Sequence, residues 1–165
     1  MKLLALFTLI LSASIFAKDC QYTSTASDIQ LDWTAYKTPT KAPVGGRFRN
    51  LGVADNIKGK SLEDFLSGIK FNIDTASVTT KNTGRDAKIV KFFFQKMAGG
   101  LNITGETKTY SKKKLLVSLM MNKTKKEIPL MVTVKDGKIE ATGVIDVFDF
   151  ALHESLAGIN KACNE

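Results

Sequence analysis

The chain has 165 residues, with 24 Lys and Arg against 16 Asp and Glu, giving a net charge of +8. Only Arg47, Arg49 and Arg85 are arginines, so the Arg forks that read base edges are scarce and nucleic acid is not the expected partner. A lysine-rich balance of this kind reads as solubility, or as attraction to an anionic envelope surface or head group.

Met1 and Lys2 precede an apolar run over residues 3–16, broken only by Thr8, Ser12 and Ser14, and Ala17 is a small residue ahead of a cut. That is the layout of a secretory signal peptide, residues 1–17. The run falls short of the roughly 20 apolar residues a membrane span needs; an uncleaved anchor is the alternative. Ala17-Lys18-Asp19 before Cys20 is not a lipobox. Residues 18–165 then form one domain, long enough to bury its own core.

Cys20 and Cys163 are the chain's two cysteines and sit near the ends of the mature segment. In an oxidising compartment an even pair reads as a disulfide, which would hold both termini against fraying. A redox pair is the alternative, but no Cys-x-x-Cys spacing supports it.

From residue 20 onward the dominant period is two, the mark of half-buried strands. Ile29, Leu31, Trp33 and Ala35 share one face, until Pro39 and Pro43 break the run. Residues 44–49 resume extended structure, with Gly45 and Gly46 suited to a bulge or barrel corner. Residues 61–66 read as a short helical turn, with capping-box spacing from Ser61 to Asp64 and Gly68 as its stop. Ile69, Phe71 and Ile73 alternate again. A clearer helix is predicted from Thr83 to about Met97, with Thr83 and Asp86 at capping-box spacing and Ile89, Phe92, Phe93 and Met97 on one stripe. Strands follow at 101–109, 115–121, 128–134 and 139–147, with Asp136-Gly137 a strong tight-turn signal. Leu152, Leu156, Ile159 and Cys163 make a closing helical stripe, weakened by Gly158.

The sum is an all-β domain of about eight strands with two or three short helices, a barrel or sandwich. The inward set mixes Trp33, Phe48, Phe71 and Leu119 with Ala35, Gly105, Ala141 and Gly143. Such a mixture either lines an apolar tunnel or lets large side chains interlock with small ones. In Phe92-Phe93-Phe94, Phe92 and Phe93 are expected to pack on the barrel while Phe94 points away, over a mouth or towards a second subunit. The lysines at 112–114 and at 123, 125 and 126 should lie at opposite ends of a strand, as edge solubilisers or head-group contacts.

Enzyme chemistry finds no foothold. His153 is the single histidine, there is no ligand set for zinc, no Gly-x-Ser-x-Gly elbow and no phosphate-binding loop. No catalytic residue, metal or cofactor is expected.

Trp33 in an early strand, Gly46-x-Phe48, Thr83-Gly84-Arg85-Asp86 leading into Phe92-Phe93-Phe94, and the closing run from Gly143 to Phe150 together resemble the YceI-like, polyisoprenoid-binding family. The resemblance covers essentially the whole mature chain. It implies an antiparallel eight-stranded lipocalin-like β-barrel exported to the bacterial periplasm, with an elongated pocket for an isoprenoid or another long-chain lipid such as a fatty amide. By position it implies a lining of Trp33, Phe48, Phe71, Leu101, Ile103, Val117, Leu119, Val132, Ile145 and Val147. Arg85 and Asp86 would meet a polar head or join and cap the helix. The expected partner is the lipid, with a homodimer through the Phe-rich helix and transient contact with the envelope surface compatible with it. The rival reading is an envelope interaction module with a filled barrel that docks a membrane redox or stress-response partner.

Overall fold

The computed structural model describes residues 21–36 and 43–164; the expected leader, Cys20 and Pro39 lie outside them. In chain order the elements are β1 (Tyr22–Ser24), β2 (Asp32–Tyr36), β3 (Pro43–Phe48), β4 (Leu51–Val53), β5 (Ile57–Gly59), α1 (Leu62–Leu66), β6 (Lys70–Asp74), β7 (Val78–Thr79), α2 (Thr83–Phe92), β8 (Asn102–Ser111), β9 (Lys114–Met121), β10 (Thr124–Lys135), β11 (Lys138–Thr142) and α3 (His153–Asn164). Single 3₁₀ turns occupy Ala26–Asp28, Thr75–Ser77, Phe94–Lys96 and Val147–Phe150.

Six strands pair in the order β11-β10-β9-β8-β6-β4, three in the order β2-β3-β7, and β1 pairs with β5. Every pairing is antiparallel. The two larger sheets are one curled surface bent at a single place. Leu51 faces Ile73 and Val53 faces Phe71 on one side of the bend; Phe48 faces Val78 and Arg47 faces Thr79 on the other. Across the bend, Arg49 N donates to Ser77 O at 3.2 Å, Asn50 N to Ser77 Oγ at 3.0 Å and Asp74 N to Asn50 O at 3.2 Å. The Thr75–Ser77 turn therefore satisfies the backbone where the ladder is interrupted, and the sheet curls there into an antiparallel half-barrel.

The β8–β11 meander is held by three two-residue turns in which both central residues are left-handed: Lys112-Lys113 (φ 48 and 65°), Asn122-Lys123 (52 and 60°) and Asp136-Gly137 (50 and 74°). This mirror-image geometry matches strand twist, but a lysine bears a steric cost at positive φ that glycine does not. Replacing Lys112-Lys113 by Asn-Gly is expected to raise unfolding free energy by about 1 kcal/mol in urea titration.

β11 stops at Thr142, short of the strand predicted to Val147. Pro129 supplies the reason. Val132 N donates to Lys113 O, on the β9 side, so the odd-numbered positions of β10 direct their N–H towards β11. Pro129 falls in that set and has no N–H to give.

α1 starts as predicted: Ser61 Oγ accepts from Asp64 N at 3.1 Å, Asp64 Oδ2 accepts from Lys60 N at 2.8 Å, and Gly68 follows with φ 75°. α2 differs at both ends. Its N-cap is Asn82, not Thr83; Asn82 Oδ1 accepts from Arg85 N at 2.9 Å. At the other end the helix stops at Phe92, and the chain passes through Phe93 (φ −114°, ψ −66°) into the tighter Phe94–Lys96 turn. That change of pitch swings Phe94 inward. Contrary to expectation it is buried, with its ring 5.8 Å from Phe48 and 5.2 Å from Phe93.

Gly158, an apparent weakness in α3, is where α3 meets α2: a Cβ there would stand 2.5 Å from the Phe92 carbonyl oxygen. On an isolated helix Gly→Ala gains about 1 kcal/mol. Here Gly158→Ala is expected to lose about 1–2 kcal/mol instead, because backbone must retreat; chemical denaturation reads the sign directly.

Candidate ligand-binding interior

Alternation places Leu115, Val117, Leu119 and Met121 of β9 and Ile128 and Val132 of β10 on the concave face, and all six are buried. The buried side chains form two clusters. One gathers Ile73, Val78, Phe94, Met97, Ile103, Leu119, Met121, Ile128, Phe150 and Leu152, beneath α2 and the 3₁₀ turns at 94–96 and 147–150. The other gathers Leu115, Val117 and Val132 under Phe65 and Leu66 of α1. Phe71 and Leu130 are half-buried and pack against both; they form the waist between the two.

Of the lining expected by resemblance, Ile103, Val117, Leu119 and Val132 are buried. Trp33, Phe48, Phe71, Leu101 and Val147 are half-buried against one cluster or both. Ile145 stands apart: it is 45% exposed in the unpaired segment after β11, beside Val144 at 89%. Phe65, Leu130, Met121, Phe150 and Leu152 join these clusters although they are outside the expected lining. Leu130 shares the alternating face of Val132, and Met121 that of Val117 and Leu119.

Of the small residues expected inward, Ala35, Ala141 and Gly143 are exposed, and the glycines at 46, 105 and 143 seat large neighbours rather than leave space. Trp33 faces Gly46 and Phe71 faces Gly105 across the ladder. A Cβ on Gly46 would stand 2.6 Å from Trp33 Cζ2, one on Gly105 2.2 Å from Phe71 Cζ, and one on Gly143 2.4 Å from Leu130 Cδ2. An open groove of about 450 Å³ runs along α2, with Val78 and Val90 on its wall and Arg49, Asp86 and Lys91 at its rim.

Arg85 and Asp86 converge on one residue. Arg85 Nε donates to Thr80 Oγ1 at 2.8 Å and its Nη2 to Thr80 O at 3.0 Å, while Asp86 Oδ1 accepts from Thr80 N at 2.8 Å and Thr80 Oγ1 at 2.5 Å. The pair thus ties the first turn of α2 to the end of β7. Phe92 is half-buried with the Lys91 ammonium 5.2 Å from its ring centre, and Phe93 is half-buried against the first cluster. Cys163 is exposed near the end of α3; its expected partner Cys20 lies outside the described residues.

Charge stays outside. Among the described residues the buried polar side chains are Thr75, Ser77, Thr80, Thr107, Ser118 and Ser155, none of them ionisable. The hydrogen bond from Lys108 holds the Glu106 carboxyl below its ordinary range, and hydrogen bonds from Thr25 do the same for Asp28; both carboxyls are on the surface. One polar atom inside is unmatched. Trp33 Nε1 is buried and has no hydrogen-bond partner among the described residues.

A curled antiparallel half-barrel with an apolar concave face, roofed by short helices, is the lipocalin-like class of binding fold. Within that class the chain belongs to the YceI-like family, whose domain model matches residues 22–163. Among solved structures it is similar to a polyisoprenoid binding domain from Saccharophagus degradans implicated in plant cell wall breakdown, with TM-score 0.60, 15% identity and 87% of each chain covered. It is also similar to the YceI protein of Campylobacter jejuni, with TM-score 0.52, 25% identity and 66% of this chain covered against 71% of that one. A third likeness is to Burkholderia cenocepacia BcnA, with TM-score 0.55, 13% identity and coverage of 74% and 80%. No curated protein matches by sequence.

Proposed function

We propose that the half-barrel is a binding and carrier protein that sequesters a long-chain apolar lipid, of polyisoprenoid or fatty-amide type, along its concave face in the bacterial periplasm. The observation that carries this is the continuity of that face. Apolar side chains run from Met121 and Ile128 through Phe71 and Leu130 to Leu115 and Phe65, with no ionisable side chain buried among them. A chain laid along it loses water-exposed area worth about 25 cal/mol per Å², which offsets the cost of ordering it. A ligand spanning both clusters must displace Phe71 and Leu130, which stand between them.

The test is native mass spectrometry of protein purified from its own periplasm, followed by denaturing extraction and lipid identification. A stoichiometric long-chain lipid is expected. Bare protein that also fails to take up added polyprenol or fatty amide overturns the reading. The interlock at Gly46, Gly105 and Gly143 favours the second reading, a filled barrel that presents a surface to an envelope partner. On that reading the exposed Val144, Ile145 and Phe148 would be the contact. Export also places Cys20 and Cys163 in an oxidising compartment. Periplasmic protein should resist thiol alkylation until reduced, and immediate labelling of both thiols would remove the disulfide.

A further inference from the structure

Trp33 lies in β2, opposite Gly46 of β3. Its neighbours in sequence alternate as the pleat requires: Asp32 and Arg47, also opposite each other, form an exposed ion pair at 3.1 Å on the outer face, while the indole packs against the first apolar cluster. The ring is clamped. A Cβ on Gly46 would stand 2.6 Å from Cζ2 and 2.9 Å from Cε2, so the indole lies flush on the glycine. Its N–H is carried by Cε2 and cannot swing out to water without moving the ring. A buried donor left unpaired is costly, and folded proteins rarely keep one without a purpose.

We propose that Trp33 Nε1 donates a hydrogen bond to the head-group oxygen of the bound lipid, and that this head is uncharged, an amide carbonyl or an alcohol. The assignment rests on the lipid-holding reading above and adds the head-group chemistry to it. The donor is neutral, the indole packs against an apolar cluster, and Asp32 and Arg47, the charges next to it along the strands, are paired with each other on the opposite face. An anionic head placed there would be desolvated with no cation to meet it. Gly46 is the cradle that holds the donor in place.

Trp33 is the chain's only tryptophan, so its indole gives a single ¹H–¹⁵N resonance. The full mature chain is titrated with hexadecanamide, hexadecanol, hexadecane and hexadecyl phosphate. The amide or the alcohol should bind about tenfold more tightly than hexadecane, one hydrogen bond's worth, and move the indole resonance downfield while hexadecane does not. Trp33→Phe should erase that preference, so that amide, alcohol and hexadecane bind the variant alike; whichever of amide and alcohol is preferred by the unaltered chain names the source of the oxygen. A preference that survives Trp33→Phe, or an indole resonance that no polar ligand moves, overturns the assignment while carriage stands. Tightest binding by the phosphate overturns the uncharged head. Should no probe bind the unaltered chain, carriage falls and this assignment with it. Should Trp33→Phe fail to fold, the resonance shift of the unaltered protein decides alone.

Discussion

Phe150→Ala should destabilise the domain by about 3–5 kcal/mol, the range for emptying a fully buried aromatic site. Phe150 is 0% exposed and sits in the first cluster with Leu152, Met121 and Ile128. The chain is held rigidly around it. Asp146 Oδ1 accepts from Phe148 N at 2.9 Å to start the 3₁₀ turn, and Ala151 leaves it at φ 54°. Asn122 Nδ2 donates to the carbonyls of Phe150 at 2.8 Å and Ala151 at 3.2 Å, while Asn122 Oδ1 accepts from Ala98 N at 2.6 Å. One side chain on the β9–β10 turn thus joins the segments on either side of the roof, and the site cannot collapse to fill the void. Urea unfolding of Phe150→Ala measures the loss. A value under about 1 kcal/mol would mean that the roof over the first cluster contributes little to stability and is free to lift.

What the sequence revealed and what it hid follow from the range of the forces involved. Period-two alternation is local, so the inward faces of β8 up to Thr107 and of β10 from Ile128 to Val132 are legible, whereas 115–121 reads only as a continuous apolar run and β10 begins at Thr124, ahead of its predicted start. Asp136-Gly137 announces its turn because glycine is at home at positive φ. Lys112-Lys113 adopts the same geometry with no such signature, forced by the pairing of Ser111 with Lys114. The end of β11 was hidden because it depends on which way Pro129 would point a missing N–H, a matter of register against β9. The burial of Phe94 depends on a change of helical pitch at Phe93 that a single periodicity cannot express. Most residues of the expected lining are buried or half-buried because they belong to the inward set of the strands. Ile145 fell outside once the strand that should have carried it stopped at Thr142. The choice between tunnel and interlock was beyond sequence, since both demand large residues beside small ones.

That choice makes Gly105 the position where stability and function meet. Gly105→Ala should cost about 2–3 kcal/mol, as overpacking does, because the new Cβ would stand 2.2 Å from Phe71 Cζ and within 2.8 Å of both its ε carbons. The ring must leave its seat, and Phe71 packs against both clusters, so both feel the displacement. In a Phe71→Ala background the same substitution should be near neutral, since the clash has gone and alanine is at least as good as glycine in a strand. The coupling energy from the double-mutant cycle should therefore be about 2 kcal/mol. A cycle that closes near zero would show that the backbone, and not the ring, yields to the methyl. Lipid binding completes the comparison. Phe71→Ala removes one side of the waist, so affinity across a series of acyl chain lengths should keep rising to longer chains than in the unaltered protein. Gly105→Ala, with the ring driven into the interior, should shorten that limit. If both variants share the unaltered chain-length profile, Phe71 does not bar the path between the clusters, and a ligand held by this fold lies in only one of them.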